Sequence, residues 1–330
     1  MAWRIHFTAE DLERIQVSPT LGPLAETVMA LSLLRCPWRN PATFSEWRGQ
    51  VSGKITAQMK ALTYMIPPGT TGVDLCTLTG EAPTIEQGVQ ALLSVPSENL
   101  LTEMEITDRW HKLPAAAWAA VEADGEARRE LAAATQAAYQ ALVEPYWIRM
   151  HARLQADQVA RSRMLAYGGP DRLLASLQGQ WIRWRPPVLE ILMTSRLEMH
   201  LNGRGLALVP SVFVGQRPML TWDPRDDHAT PRLILPAADG PNGHGYLWDG
   251  RRSDGAALAA LVGRNRAAVL RAVADGCTTT ELACRVGISP AAASQHASVL
   301  RGAGLISTCR QGSAVLHVIT PLGAELLQAG

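Results

Sequence analysis

The chain has 330 residues, 47% of them hydrophobic and 18% charged, with a formal net charge of +1. That length suits about two domains with ample material for packed cores, and no apolar run reaches the ~18 residues of a membrane span. The opening Met1-Ala-Trp-Arg-Ile-His-Phe7 alternates like a strand and does not resemble a signal peptide, and five scattered cysteines suit a reduced cytoplasm.

Residues 1–180 read as mainly helical after that first strand. Thr8, with an acidic residue three positions on, starts a helix through Ile15, and Leu21 to Leu34 forms an apolar helix that Pro37 ends. Pro67-Pro-Gly-Thr-Thr-Gly72 breaks the chain. Shorter helices are expected near Thr84–Ser94 and Ala115–Val121, then a long one over Glu126–Ala166, interrupted or kinked at Pro145. Gly168-Gly-Pro170 closes it, and Asp171–Leu177 restarts a turn or two. Ten Trp against three Phe and five Tyr is an unusual balance. Rigid amphipathic rings line pockets as well as cores, so Trp38, Trp47, Trp110, Trp147, Trp181 and Trp184 are the candidate lining of a small-molecule pocket. The plainer reading is that they fill the helical core.

From about Gln180 the period changes. Trp181–Arg185, Val188–Met193, Leu197–Leu201, Leu206–Pro210, Val212–Gly215 and Leu233–Leu235 are short strand-like runs. Asn202-Gly203 is a hairpin turn that would pair Gly205–Val209 back on Leu197–Leu201, giving a small antiparallel sheet over 181–236. Asp223-Pro-Arg-Asp-Asp-His228 concentrates metal-ligand types, but a solvated turn is the simpler reading, and no metal or other cofactor is expected. Residues 237–257, rich in Gly, Asp, Pro and Asn, read as a linker or covering loop.

Residues 258–330 carry the strongest pattern. Thr278 to Thr280 offer a helix start with Glu281 in its first turn, Leu282–Val286 continue a short amphipathic helix, and Gly287 permits a tight turn. Ser289 then caps a second helix with Pro290 at its first position. At about 100° per residue, Ala293, Ala297 and Leu300 share one side, and Ala291, Ser294, Gln295 and Ser298 the other, with His296 and Arg301 at the margins. Short polar side chains let a helix enter the roughly 12 Å major groove and read base edges. Leu305–Cys309 and Ala314–Ile319 form a hairpin around Arg310-Gln-Gly-Ser313, with Arg310 and Gln311 placed to reach DNA as a wing would, and Thr320-Pro-Leu-Gly323 starts a last helix. This order is a winged helix, and the whole chain is α+β, mainly α. The segment has six arginines against Asp275, Glu281 and Glu325, a modest +3 that a dimer would double.

The segment Ser289-Pro-x-x-x-Ser-Gln-His-x-x-x-Leu-Arg-x-Ala-Gly-Leu305, with Arg310-x-Gly312 and Thr320-Pro-Leu-Gly323, resembles the ArsR-type winged-helix regulators. More loosely, the whole chain resembles larger actinobacterial regulators of this type, whose long leader has no assigned function. The resemblance implies a homodimer on an inverted-repeat operator, with half-sites about one helical turn apart. It also implies repression, and dimerisation through the stretch Ala256–Ala274 and the segment Leu322–Leu327. The DNA-contacting residues would be Thr279, Ser289, Ala291, Ser294, Gln295, His296, Ser298, Arg301, Arg310 and Gln311. The metal-binding cysteine and histidine patterns of metal-sensing members are missing, which moves effector sensing to the leader, with an apolar or aromatic small molecule as the expected effector. Two other readings compete: an architectural DNA-binding protein whose leader serves only assembly, and an enzyme fused to a winged helix. No Gly-x-Ser-x-Gly, Walker loop or His-Glu-x-x-His supports the latter, so a non-enzyme is expected.

Overall fold

A computed structural model describes the chain apart from residues 37–42, 68–71, 122–124, 194, 239–244, 249–255, 274–276, 312–313, 321, 324–325 and 328–330. The chain divides into two units, Met1–Trp248 and Asp249–Gly330. Helices dominate and the sheets are small, so the fold is α+β and mainly α.

The first unit holds two four-stranded sheets built from strands at its two ends: β1 (Ala2–His6), β2 (Gln16–Val17), β3 (Ile182–Arg185), β4 (Val188–Leu192), β5 (Leu197–His200), β6 (Ala207–Ser211), β7 (Met219–Thr221) and β8 (Arg232–Pro236). Their orders are β3-β4-β1-β5 and β2-β6-β8-β7. Both are mixed: β1 runs antiparallel to β4 and parallel to β5, and β6 lies parallel to both β2 and β8 while β7 runs antiparallel to β8. The expected antiparallel pairing across Asn202-Gly203 does not occur. The turn is present, with positive φ at both residues, but it carries the chain from one sheet to the other. The reason is burial. Every residue of β6 is buried, which suits a strand with parallel neighbours and both faces covered, whereas β5 leaves alternate residues exposed.

The switch is held from the N-terminus. Thr8 caps α1 (Ala9–Glu13) in a capping box, its hydroxyl accepting from Asp11 N at 3.2 Å while the Asp11 carboxylate accepts from Thr8 N at 2.8 Å. The other Asp11 oxygen accepts from Gly205 N at 3.0 Å. Burial raises the Asp11 pKa, but these amides outweigh it and hold the carboxyl below its ordinary value. Gly205 has φ +70°, and a Cβ there would come within 2.3 Å of the Arg14 carbonyl oxygen, so only glycine fits.

The helical part is centred on α2 (Pro23–Arg35), eleven of whose thirteen residues are buried. Around it lie α3 (Ser45–Val51), α4 (Lys60–Met65), α5 (Leu75–Thr79), α6 (Ile85–Ser94), α7 (Ser97–Trp110), α8 (Ala115–Trp118), α9 (Glu126–Leu142) and α10 (Trp147–Ser176). The break at Pro145 is real, a 3-10 turn over Glu144–Tyr146, and α10 changes direction at Gly169, whose φ is +73°. Beyond it Leu173 and Leu174 reach the sheet core. The helix α7 has no clear signal in the sequence; it starts directly after Pro96 without a side-chain cap.

Val212–Gly215 is not a strand. The amides of Val212 and Phe213 donate to the two oxygens of Glu26 on α2, each at 3.1 Å, so a buried carboxyl group replaces a neighbouring strand. Nor are residues 237–257 a linker throughout. Ala237 is buried, and Leu247 and Trp248 of α11 (Gly245–Trp248) are fully buried in the first unit's core, with Trp248 Nε1 donating to Thr43 O and Trp248 O accepting from Gln50 Nε2.

In the second unit, α12 (Ala256–Val262) and α13 (Arg264–Ala272) divide at Gly263, so the stretch expected to form one dimerisation helix forms two. Then follow β9 (Cys277–Thr278), α14 (Thr279–Val286), α15 (Pro290–Gly302), β10 (Ile306–Gln311) and β11 (Ala314–Ile319), with sheet order β10-β11-β9. The core joins Leu258, Leu270, Leu282, Ala293, Leu300 and Ile306. Of the last expected helix, residues 322–323 and 326–327 are described and helical, and Gly323 N donates to Thr320 Oγ1 at 3.1 Å.

Candidate nucleic-acid interface

Each end of the helix-turn-helix is set by local chemistry. Thr278 caps α14 in a full capping box: its hydroxyl accepts from Glu281 N, and the Glu281 carboxylate accepts from Thr278 N at 2.8 Å. Those bonds hold the Glu281 carboxyl below its ordinary value. Gly287, at φ +69°, ends α14 in the left-handed conformation, and two residues later Ser289 Oγ accepts from Ala292 N at 3.2 Å to start α15. Ala283 on α14 and Ala293 on α15 are both buried, and these small residues let the two axes approach closely.

The division of α15 follows from its 3.6-residue period. Ala293, Ala297 and Leu300 are buried, while Ala291, Ser294, Gln295, Ser298 and Arg301 are exposed and His296 is half-buried. The exposed face therefore offers hydroxyl, amide and methyl groups with no acidic side chain. Val299, 46% exposed, also lies outside the core and is available to meet a thymine methyl. Arg301 Nη2 reaches back to Ser298 Oγ at 3.4 Å, joining two residues of the reading face.

Residues 264–308 match the family model for bacterial regulatory proteins of the arsR family. The second unit carries an ArsR-family helix-turn-helix domain. It is the DNA-binding domain of a transcriptional regulator. No curated protein and no solved structure matches the chain.

The ArsR-family match ends at Thr308, within the first strand of the wing. The wing is longer than the sequence suggests: β10 and β11 pair from Ile306↔Ile319 to Gln311↔Ala314, which places Arg310 opposite Val315 within the ladder and not at the tip. The side chains of Arg310 and Gln311 lie outside the described residues. One wing residue escaped sequence reasoning. His317, buried in β11, has Nε2 3.0 Å from Thr279 Oγ1 and Nδ1 3.3 Å from Thr308 Oγ1, so it ties the first turn of α14 to both wing strands. Thr279, expected on the DNA face, thus has its hydroxyl engaged within the domain. Burial, then the nearby Arg301, lowers the His317 pKa and favours the neutral ring. The signal was faint: a histidine at an inward position of an otherwise apolar strand.

The tryptophans proposed to line a pocket are dispersed. Trp38 and the Trp110 side chain lie outside the described residues. Trp47 belongs to a packed aromatic cluster with Phe44, Phe213, Trp248 and Tyr146; ring centroids are 4.6 Å apart for Trp47–Phe213 and 5.4 Å for Phe213–Trp248, and Trp47 Nε1 donates to Leu142 O. Trp184 sits in the sheet core, edge-on to Phe7, and donates to Asp171. Trp147 stacks on His151. Of the described candidates only Trp181 borders one cavity of the first unit, where Trp3 joins it. That cavity, about 520 Å³, is walled by α2, the approach to α5, the loop after β6 and strand β7. Among the described residues no group of three or more His, Cys, Asp and Glu is placed to hold a metal ion. In Asp223–His228, Asp223 accepts from Arg225 and Asp226 from His228 N, as in an ordinary turn. No described helix is long and apolar enough to cross a membrane.

Proposed function

We propose that the chain is a sequence-specific transcriptional repressor that binds an inverted-repeat operator as a homodimer and responds to a small molecule held by its first unit, which binds that molecule without transforming it. The observation that carries the DNA-reading part is the exposed face of α15, whose Ser294, Gln295 and Ser298 stand free of the core on a helix started by Ser289 and Pro290. Repression and pairing are inferred from the second unit's likeness to the arsR family. The effector-responsive part is supported by a cavity within the usual 300–1,000 Å³ range for small-molecule sites. For such a protein, an effector need only prefer one geometry of the dimer by a few kcal/mol to shift operator occupancy.

The test is an electrophoretic shift on DNA from the region upstream of the coding sequence, set against the same length of unrelated DNA. A symmetric site bound in preference to the unrelated DNA, and bound more weakly on Gln295→Ala, supports the reading. Equal affinity for both DNAs, unchanged by Gln295→Ala, would replace it with the architectural reading.

A further inference from the structure

The cavity beside Trp3 and Trp181 has a chemical character beyond its size. Its broad surfaces are aromatic and thioether: Trp3, Trp181 and Phe213 with Met29, Met193 and Met219. The methionines make the shape adaptable, and the indole faces are electron-rich. Into this wall comes one carboxylate. Asp74 caps α5, its oxygens accepting from Thr77 N at 2.9 Å and Thr77 Oγ1 at 2.7 Å. Protein surrounds Asp74 closely, yet it retains accessible surface, because it forms part of the cavity wall.

Two further observations give the sign of the charge this space accepts. Arg217, an exposed residue at the cavity edge, lays its guanidinium over the Trp181 ring at 4.4 Å from the centroid. The protein's own cation thus already occupies an indole face. Behind Asp74 lie further buried carboxylates: Glu103 feels both Asp74 and Asp223, with Arg225 opposing them, and Arg232 acts on Asp74. Burial, and for Glu103 the charge of Asp74, push Glu26 and Glu103 up to about 7. Burial raises Asp74 as well, and a cation beside it would favour the ionised form that burial opposes.

We propose that this cavity binds an organic cation, an aromatic or amphiphilic ammonium or phosphonium compound, with its charge beside Asp74 and its apolar groups against Trp3 and Trp181. Arg217 acts as a stand-in that the ligand displaces from the Trp181 face. The assignment of this cation as effector rests on the effector-responsive reading above; the binding site itself does not.

The experiment titrates the full-length protein, without DNA, with tetraphenylphosphonium and with tetraphenylborate, which share a shape and differ in charge, followed by calorimetry. The cation should bind at least about tenfold more tightly than the anion. Asp74→Asn keeps a cap acceptor for Thr77 and should weaken the cation about tenfold with the unfolding temperature unchanged. Arg217→Ala should strengthen the cation severalfold, whereas a site built for anions would lose affinity. A parallel operator-binding measurement separates the two readings: a bound cation that leaves DNA affinity unchanged supports the site and removes the effector role. Tighter binding of the anion, no effect of Asp74→Asn in a folded variant, or no binding of either ion would overturn the proposal.

Discussion

Helices α2 and α15 are each thirteen residues long and each begins with proline at its first position, yet they do opposite work. The first follows Gly22, has no side-chain cap and is buried on eleven residues; the second is capped by Ser289 and buried on three. The polar residues of α2 are turned to structural use, with Glu26 receiving two backbone amides and Thr27 donating to Pro23 O. Those of α15 receive almost nothing from the domain. A helix whose hydrogen-bonding side chains are satisfied internally is a core rod; one whose equivalents are left open is a reading surface.

That contrast can be broken from either side. The largest effect should come from the core around α2: Trp47→Ala removes a fully buried ring and the Leu142 bond, costing about 3–5 kcal/mol. Denaturation followed by fluorescence should show the first unit melting early while operator-sized DNA still protects the second. The Glu26 carboxyl comes next. Its folded pKa, raised to about 7 from 4.5 by burial, makes the protonated form the one the fold prefers. Its contribution is complete below about pH 4.5 and lost as pH rises through about 7, at most about 3 kcal/mol. Melting temperature measured from pH 5 to 8 should therefore fall; a rise across that window would remove Glu26 from the account.

Substitutions in the second unit should be milder and should separate binding from stability. Gln295→Ala should weaken specific binding by about 1–3 kcal/mol, relax one base position and leave the melting temperature in place. Ser289→Ala should do the reverse, costing about 1 kcal/mol of domain stability through the lost Ala292 bond. The smallest change is expected for Arg310→Ala: weaker binding to all sequences, with the salt slope reduced by about 0.9. Loss confined to one base pair would show Arg310 to be a base reader.

Much of the second unit was legible because its signals are local. The capping box of Thr278 and Glu281, the turn at Gly287 and the cap of Ser289 each act within four residues, and the two faces of α15 follow from helical period alone. His317 was not legible, since its role comes from Thr279, 38 positions away, and Thr308, nine positions away on the facing strand. In the first unit several helices and most strand positions were legible, since the runs Trp181–Arg185, Val188–Met193, Leu197–Leu201, Leu206–Pro210 and Leu233–Leu235 fall on β3, β4, β5, β6 and β8, but the strand partners were not. Leu21–Leu34, Thr84–Ser94 and the break at Pro145 emerged from apolar runs, caps and proline, whereas α7 lacks such marks.

The amino-acid order settles those elements whose start, stop and exposed face depend on neighbours one or two turns away: α2, α6, α9 and the helix-turn-helix. Strand partners, and which rings face a void, depend on groups far apart in the chain. Asp11 meets Gly205 across 194 positions and Trp3 meets Ser195 across 192, so β5 and β6 part at a turn that locally favours a hairpin. The tryptophans obey the same rule. Trp47 and Trp181 are alike as residues, and only the packing of Phe213, Trp248 and Arg217 around them makes one a core ring and the other a cavity wall.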